Sequence, residues 1–172
     1  MKALIVSDNH GSKELLQTVL KRHGTDADVM IHCGDSELPA DSEEMQPFIK
    51  VAGNCDVDPQ YPNEVTKELG GIPFFVTHGH HYNVKMSLMN LMYKAEETAA
   101  TVICYGHSHI AQSFQENGKI FINPGSIRLP RMRREGTYVI CEKLEDGRLN
   151  VSYYSEDGEK IEALTANYPL YL

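Results

Sequence analysis

Hydrophobic positions along this chain fall into short runs, and the polar residues that end them are repeatedly of one chemical type. Lys2 to Ser7 reads K-A-L-I-V-S, a short buried strand, and it stops at Asp8-Asn9-His10-Gly11. From about Ser12 the period changes. Leu15, Leu16, Val19, Leu20 and His23 recur at helical spacing, with Glu14 near the start and Gly24 as a stop. Val29 to Cys33 is a second apolar run, closed by Gly34-Asp35. Strand, helix and strand over this length predict a βαβ unit with parallel strands and a right-handed crossover. An acidic connection, Ser36 to Gln46, leads to a further run, Phe48 to Ala52, and then to Gly53-Asn54-Cys55-Asp56.

Pro59 and Pro62 mark a loop. Glu64 to Leu69 reads as a strand, Gly70-Gly71 as a turn, and Pro73 to Thr77 as another strand that ends in His78-Gly79-His80-His81. Val84 to Glu97 is predicted to be a second helix. Its stripe of Met86, Met89, Met92 and Tyr93 is read as core packing rather than as a partner groove. Thr101 to Tyr105 is a β-branched and apolar strand before Gly106-His107-Ser108-His109. Thereafter only strands are predicted, at about 110–115, 119–123, 136–144 and 148–154, with Asn117-Gly118 and Asp146-Gly147 as hairpin turns. The tail, Tyr168-Pro169-Leu170-Tyr171-Leu172, is apolar enough to dock on this domain or on a second copy of the chain.

Composition narrows the function classes. A chain of 172 residues fits one domain, expected to span 1–172. No apolar run is long enough to span a membrane, and the chain enters a strand directly, without an export signal. Cys33, Cys55, Cys104 and Cys141 are scattered, with neither Cys-x-x-Cys nor zinc-finger spacing. A reducing cytoplasm is therefore the expected compartment. The net charge of −8 argues against stable nucleic-acid binding, which calls for a basic footprint.

Five predicted strands end in residues suited to holding metal: Asp8 and His10, Asp35, Asn54, His78, and His107 with His109. In an α/β sheet, ligands gather in the crevice beyond the carboxyl ends of the strands, so five such endings converge on one site. Mixed imidazole, carboxylate and amide donors suit Mn, Fe, Ni, Co or Zn better than Mg or Ca, which favour all-oxygen shells. A pair of such ions lowers the pKa of bridging water and clamps phosphate oxygens for in-line attack. The leading expectation is a phosphoesterase acting on a small phosphate ester.

With these motifs in hand, the chain resembles the calcineurin-like metallophosphoesterases over roughly residues 3–110. Its length, and Asn123-Pro124-Gly125-Ser126 after the last motif, resemble the small bacterial and archaeal phosphodiesterase branch related to a eukaryotic retromer subunit. The resemblance implies an α/β fold, a four-layer α-β-β-α sandwich of two mixed β-sheets flanked by helices. It implies that Asp8, His10, Asp35 and His109 hold one divalent ion, while Asn54, His78 and His107 hold a second with Asp35 bridging. Manganese is the favoured ion. Cys55 stands where many members carry an acid histidine, which puts protonation of the leaving group in question. It is read as a packed or supporting residue.

Asp35, Asn54 and His80 are the residues expected to bear on catalysis, His80 by touching substrate or giving a proton. His23 and His32 are read as structural or supporting. Arg128, Arg131, Arg133 and Arg134 concentrate positive charge in an acidic chain and are read as a solvated loop or oligomer contact, with phosphate holding as the alternative. A non-catalytic interaction scaffold on the same fold is the rival function, and fold alone does not separate the two.

Overall fold

The computed structural model describes residues 1–171. Two mixed sheets form the centre. The first has six strands in the order β11-β10-β9-β1-β2-β3. These are β1 Lys2–Val6, β2 Val29–His32, β3 Ile49–Lys50, β9 Thr137–Lys143, β10 Arg148–Ser155 and β11 Ala166–Pro169. The second has five in the order β4-β5-β6-β8-β7. They are β4 Glu64–Leu69, β5 Ile72–Thr77, β6 Val102–Cys104, β7 Gln112–Glu116 and β8 Lys119–Asn123. The helices are α1 Lys13–His23 and α2 Met89–Glu97.

Alternation along β1 explains the layering. Ala3 and Ile5 point into the core between the sheets, beside Ile31 and Val139 of their own sheet and facing Phe74, Val76, Val102 and Ile122 of the other. Leu4 and Val6 point the opposite way, onto Leu16 and Val19 of α1. The second sheet repeats the scheme, with Phe75 and Ile103 outward against Leu91 and Ala95 of α2. Strands covered on both faces lose polar alternation, which is why β1, β5 and β6 read as continuous apolar runs. The result is the four-layer α-β-β-α sandwich expected from the resemblance. Phe74, fully buried in the middle layer, would cost about 3–5 kcal/mol on truncation to alanine.

The βαβ reading holds: β1 and β2 are parallel, with Ile5 opposite Ile31. Ser12 caps α1 by accepting from the Leu15 amide. Three elements differ from expectation. The predicted second helix begins at Met89, not Val84. Residues His80–Tyr82 form a 3₁₀ turn, and Asn83 takes a left-handed conformation (φ 54°) that no helix continues. The methionine stripe is core only at Met92, which is partly buried against the outer cluster. Met86, Met89 and Tyr93 are 80%, 51% and 63% exposed, because the buried face of α2 is set by Leu91 and Ala95 four residues apart. Finally the tail adds a strand: β11 pairs antiparallel with β10, and Tyr168 and Leu170 pack on the inter-sheet core. The tail thus docks on its own domain, with Leu172 lying outside the described residues.

Candidate metal centre

The predicted ligands follow the carboxyl ends of β1, β2, β5 and β6, and Asn54 lies on the turn after β3. Both sheets therefore deliver residues to one edge of the sandwich. Five of the seven hold left-handed backbone: Asp8 (φ 57°), His10 (43°), Asp35 (54°), His107 (66°) and His109 (60°). Non-glycine residues rarely adopt this conformation, at about 1–3 kcal/mol each. The loops are locked there by one another. The Asp8 amide donates to the Gly34 carbonyl (3.0 Å) and the His10 amide to the Asp35 carbonyl (3.1 Å). Two glycines make the close approach possible. A Cβ on Gly34 would lie 2.8 Å from His78 Nδ1, and one on Gly106 would collide with Ser7 Oγ and Asp8 Oδ2.

One cluster is Asp8, His10 and His109. Asp8 Oδ1 lies 3.1 Å from His109 Nε2 and 3.7 Å from His10 Nε2. The two Nε2 atoms stand 3.3 Å apart. The other ring nitrogens are occupied. His10 Nδ1 meets Glu37 Oε1 at 2.6 Å, and His109 Nδ1 donates to the Leu129 carbonyl at 2.8 Å. Both Nε2 lone pairs are thereby left facing Asp8, the tautomer a metal requires. Ser7 Oγ (2.5 Å) and the His107 amide (3.3 Å) donate to Asp8 Oδ2, fixing that carboxylate.

The other cluster is Asp35, His78 and His107. His78 Nε2 is 3.3 Å from Asp35 Oδ2 and 3.9 Å from Asp8 Oδ1, while its Nδ1 donates to the Cys33 carbonyl (2.7 Å). The His78 and His107 rings lie 5.0 Å apart, centroid to centroid. Asp35 also faces the first cluster, since its carboxylate groups with His10 and Cys55. Asn54 is brought near but not in: its side chain is exposed and its amide donates to Cys55 Sγ (3.4 Å), while the neighbouring Cys55 amide donates to Asp35 Oδ1 (2.8 Å).

The arrangement fits divalent cations. Among the described residues, Asp8 Oδ1 and His78 Nε2 are buried without a hydrogen-bond partner, a costly state for polar atoms unless an ion satisfies them. Burial alone would raise the Asp8 and Asp35 carboxyls. Histidine neighbours outweigh it, His109 and His78 for Asp8 and His78 for Asp35, and both fall below the ordinary carboxylate range. Burial would likewise lower His78, yet Asp35 and Asp8 raise it. Two buried carboxylates thus draw positive charge into the site.

The remaining histidines divide. His80 lies 5.3 Å from His78 and 6.0 Å from His107 between ring centroids. Burial and the neighbouring His78 push its pKa down to about 4. His32 is wholly buried, bonded through Nε2 to Asn9 Oδ1 (2.9 Å), and accepts from the Gly34 amide (3.2 Å). It braces the two ligand loops. His23 sits at the end of α1 against the Tyr138 hydroxyl (2.8 Å). Cys55 is exposed, and burial of its sulfur together with the Asp35 charge pushes its thiol up to about 11.

Several supporting residues escape a reading of the sequence alone. Asp56 accepts from the amides of Asp35 (2.8 Å), Gly53 (2.7 Å) and Glu37 (2.8 Å), tying the two turns together. Glu37 emerges from a stretch that reads only as acidic linker. Ser126 Oγ donates to the Asp8 carbonyl (2.7 Å). Its one signal in the sequence is Asn123-Pro124-Gly125-Ser126, a turn motif that by itself implies no chemistry for the hydroxyl.

The model of the calcineurin-like phosphoesterase superfamily domain matches residues 1–146. The chain belongs to this superfamily. Its sequence is 48% identical over 164 residues to the probable metallophosphoesterase YsnB of Bacillus subtilis, covering 95% of this chain and 96% of that one. A crystal structure of a predicted phosphoesterase from Streptococcus pneumoniae superimposes with a TM-score of 0.91 at 33% identity, over 97% of this chain and 96% of the other. Vacuolar protein sorting 29 from Cryptosporidium parvum shares the fold, with a TM-score of 0.74 at 20% identity over 96% and 95% of the two chains. The likeness to vacuolar protein sorting 29 is one of fold. Among the described residues no helix is long and apolar enough to cross a membrane.

Proposed function

We propose that this superfamily member is a phosphodiesterase that works with two divalent transition-metal ions. Asp8, His10 and His109 would hold one, and Asn54, His78 and His107 the other, with Asp35 between them. When bound, such a pair supplies Lewis-acid activation of water and neutralises charge on the phosphoryl group. The observation that carries the reading is the pair of buried, unpartnered atoms, Asp8 Oδ1 and His78 Nε2, 3.9 Å apart at the junction of the two clusters.

The chain's own residues have definable tasks. Glu37 and the Leu129 carbonyl hold the His10 and His109 rings in register through their Nδ1 atoms. Asp35 is kept ionised and is fixed by the Cys55 amide on one oxygen. His80, neutral at pH 7 because its pKa is pushed down to about 4, is poised to donate a ring N–H to a phosphoryl oxygen rather than to serve as a standing acid. The Cys55 thiol, pushed up to about 11, keeps its proton at neutral pH but is a poorer general acid than an imidazolium, whose pKa lies near the working pH. Leaving groups that need no proton should therefore be favoured.

The Vps29 likeness supports a rival reading, a scaffold without turnover. Retention of ligand-type side chains at all seven positions supports the enzyme. Metal analysis of the purified protein, with assays on paired phosphomonoesters and phosphodiesters after chelation and re-addition, separates the two. Two ions per chain and diesterase activity restored by Mn²⁺ better than by Mg²⁺ are expected. Metal binding without turnover on any ester would leave the scaffold; rescue by Mg²⁺ alone would contradict the histidine-rich ligand set.

A further inference from the structure

The segment from Ile127 to Glu135 gathers four of the chain's 16 cationic residues, Arg128, Arg131, Arg133 and Arg134, in a protein of net charge −8. It is exposed along most of its length and is stitched to the metal centre at three points. The Leu129 carbonyl holds the His109 ring (2.8 Å), the Arg131 amide donates to the His109 carbonyl (3.0 Å), and the Arg128 guanidinium donates to the His10 carbonyl. The loop is therefore part of the wall beside Asp8, His10 and His109.

Its cations differ in how closely they are tied to the two histidines. Backbone hydrogen bonding, and to a lesser degree the charges of Arg133 and Arg134, hold the Glu135 carboxyl down. None of the four has a carboxylate within salt-bridge distance among the described residues, and Arg128 and Arg131, both exposed, are the two that hydrogen-bond to His10 and His109. A guanidinium has five N–H donors in a planar fork. The bond to His10 uses few of them and fixes the group at the edge of the site.

Two guanidinium groups without a carboxylate partner, one anchored on the His10 carbonyl and one on a residue whose amide is anchored on the His109 carbonyl, are suited to a second phosphate, which Arg recognises through paired, charge-assisted hydrogen bonds. The ions would already serve the reacting phosphate, so this charge is surplus to it. In a protein that is otherwise acidic, a local cationic wall also sets the direction from which a multiply charged substrate approaches.

We propose that Arg128 and Arg131 form a subsite for a second, non-reacting phosphate on the His10–His109 side of the centre. The substrate is then a phosphodiester that carries another phosphate close to the scissile bond. This rests on the phosphodiesterase reading above and names its substrate class.

The test compares two matched pairs of diesters on the metal-loaded protein. One pair is the dinucleotide TpT with and without a 5′-phosphate. The other is 3-hydroxypropyl 4-nitrophenyl phosphate with and without phosphate on its free hydroxyl. Wild type should prefer the phosphorylated member by about 10- to 100-fold in kcat/KM, the range for one or two charge-assisted contacts. Arg131→Ala should reduce that ratio at least several-fold, and Arg128→Lys should reduce it less, because lysine keeps the charge but not the fork. Loss of three lysines outside the loop (Lys21→Ala, Lys67→Ala and Lys160→Ala together) should leave the ratio unchanged, excluding a mere net-charge effect.

Preference in both pairs means that any nearby phosphate suffices; preference in the dinucleotide pair alone assigns the subsite to nucleic-acid ends. A ratio near one in wild type, or one unmoved by Arg131→Ala, overturns the proposal. Binding of uncleavable methylphosphonate-linked dinucleotides, with and without the 5′-phosphate, separates the two readings. Arg131-dependent discrimination without turnover of any diester would keep the subsite and remove the phosphodiesterase. Turnover without discrimination would do the reverse.

Discussion

The two ligand clusters differ in how firmly they are built. In the first, Asp8 is wholly buried and every ring nitrogen pointing away from it has a partner, Glu37 for His10 and the Leu129 carbonyl for His109. In the second, only His78 is pinned in this way, through the Cys33 carbonyl. His107 is half-buried, held by ring contacts with His78 and His80, and Asn54 is exposed with its amide on Cys55. Ligands held in place before binding give up less entropy when the ion arrives. The first cluster should therefore be the tight site and the second the exchangeable one, which a substrate phosphate can help to complete.

The largest effect should follow from removing the residue that the clusters share. Asp35→Asn deletes a charge that faces His78 at 3.3 Å and groups with His10 as well. Metal content should fall at both sites and hydrolysis should be lost. The fold should persist, because Asp35 is held by its backbone through Asp56. His23→Gln, changed at the far end of α1, should leave metal content at the wild-type value. A fully active and fully metallated Asp35→Asn protein would exclude the paired-ion reading.

Cys55 stands where the clusters meet, grouped with His10 and Asp35. General acid catalysis typically contributes about 10²–10⁴-fold, and an alkoxide leaving group needs it while a nitrophenolate hardly does. With a thiol pushed up to about 11 at this position, kcat/KM should depend steeply on leaving-group pKa across aryl and alkyl diesters. Cys55→His should flatten the dependence. A shallow slope in wild type that steepens in His80→Ala would instead make His80 the acid.

What the sequence made legible here was the set of strand endings, because each candidate ligand follows a strand whose apolar run is plain. The layered architecture came with the family resemblance rather than from the runs themselves. The supports were hidden. Glu37 and Asp56 act through contacts between turns 19 residues apart, and Glu37 lies in an acidic stretch where nothing marks one carboxylate from the next. The second helix was misplaced for a different reason. Val84 packs over Gly79 from a turn, so it extends the apolar count of α2 without belonging to it. The tail strand β11 escaped because Ala166–Pro169 contains Asn and Pro, residues depleted in strands, and edge pairing with β10 alone defines it.

The difference between clusters can be sharpened through their outer partners. Loss of a carboxylate that orients a ligating histidine commonly costs about 10–100-fold in metal affinity. Glu37→Gln keeps an acceptor for His10 Nδ1 but removes the charge, so affinity at the first site should fall within or below that range. His107→Ala should strip the second site while leaving one ion bound, and His109→Ala should weaken the tighter ion. Stepwise titration with competing chelators reads all three. Equal loss at both sites in His107→Ala would erase the distinction between the clusters.

The smallest effect concerns the brace under the first cluster and appears as pH-dependent stability. His32 is wholly buried between Asn9 and the Gly34 amide, and desolvation pushes its pKa down to about 4 from an ordinary 6.5. The folded state therefore disfavours the protonated ring, whereas the unfolded chain accepts a proton near 6.5. Its contribution is fully present above that value and is lost as pH falls from 6.5 towards 4, where the unfolded state binds more protons. Between pH 7.5 and 5.0 this one group should remove about 2 kcal/mol of stability from the metal-free protein. Asp8 and Asp35, held low, lose their contribution in the same direction but at more acid pH. His78, held high, contributes below its ordinary value and loses that contribution as pH rises through its raised pKa, so it partly offsets His32. His32→Gln removes the titrating ring yet keeps a donor for Asn9 and an acceptor for Gly34. Urea midpoints at the two pH values, taken in chelator, should move closer together in His32→Gln than in wild type. An unchanged pH dependence in that variant would show that the ring titrates in the folded protein as it does in the unfolded chain.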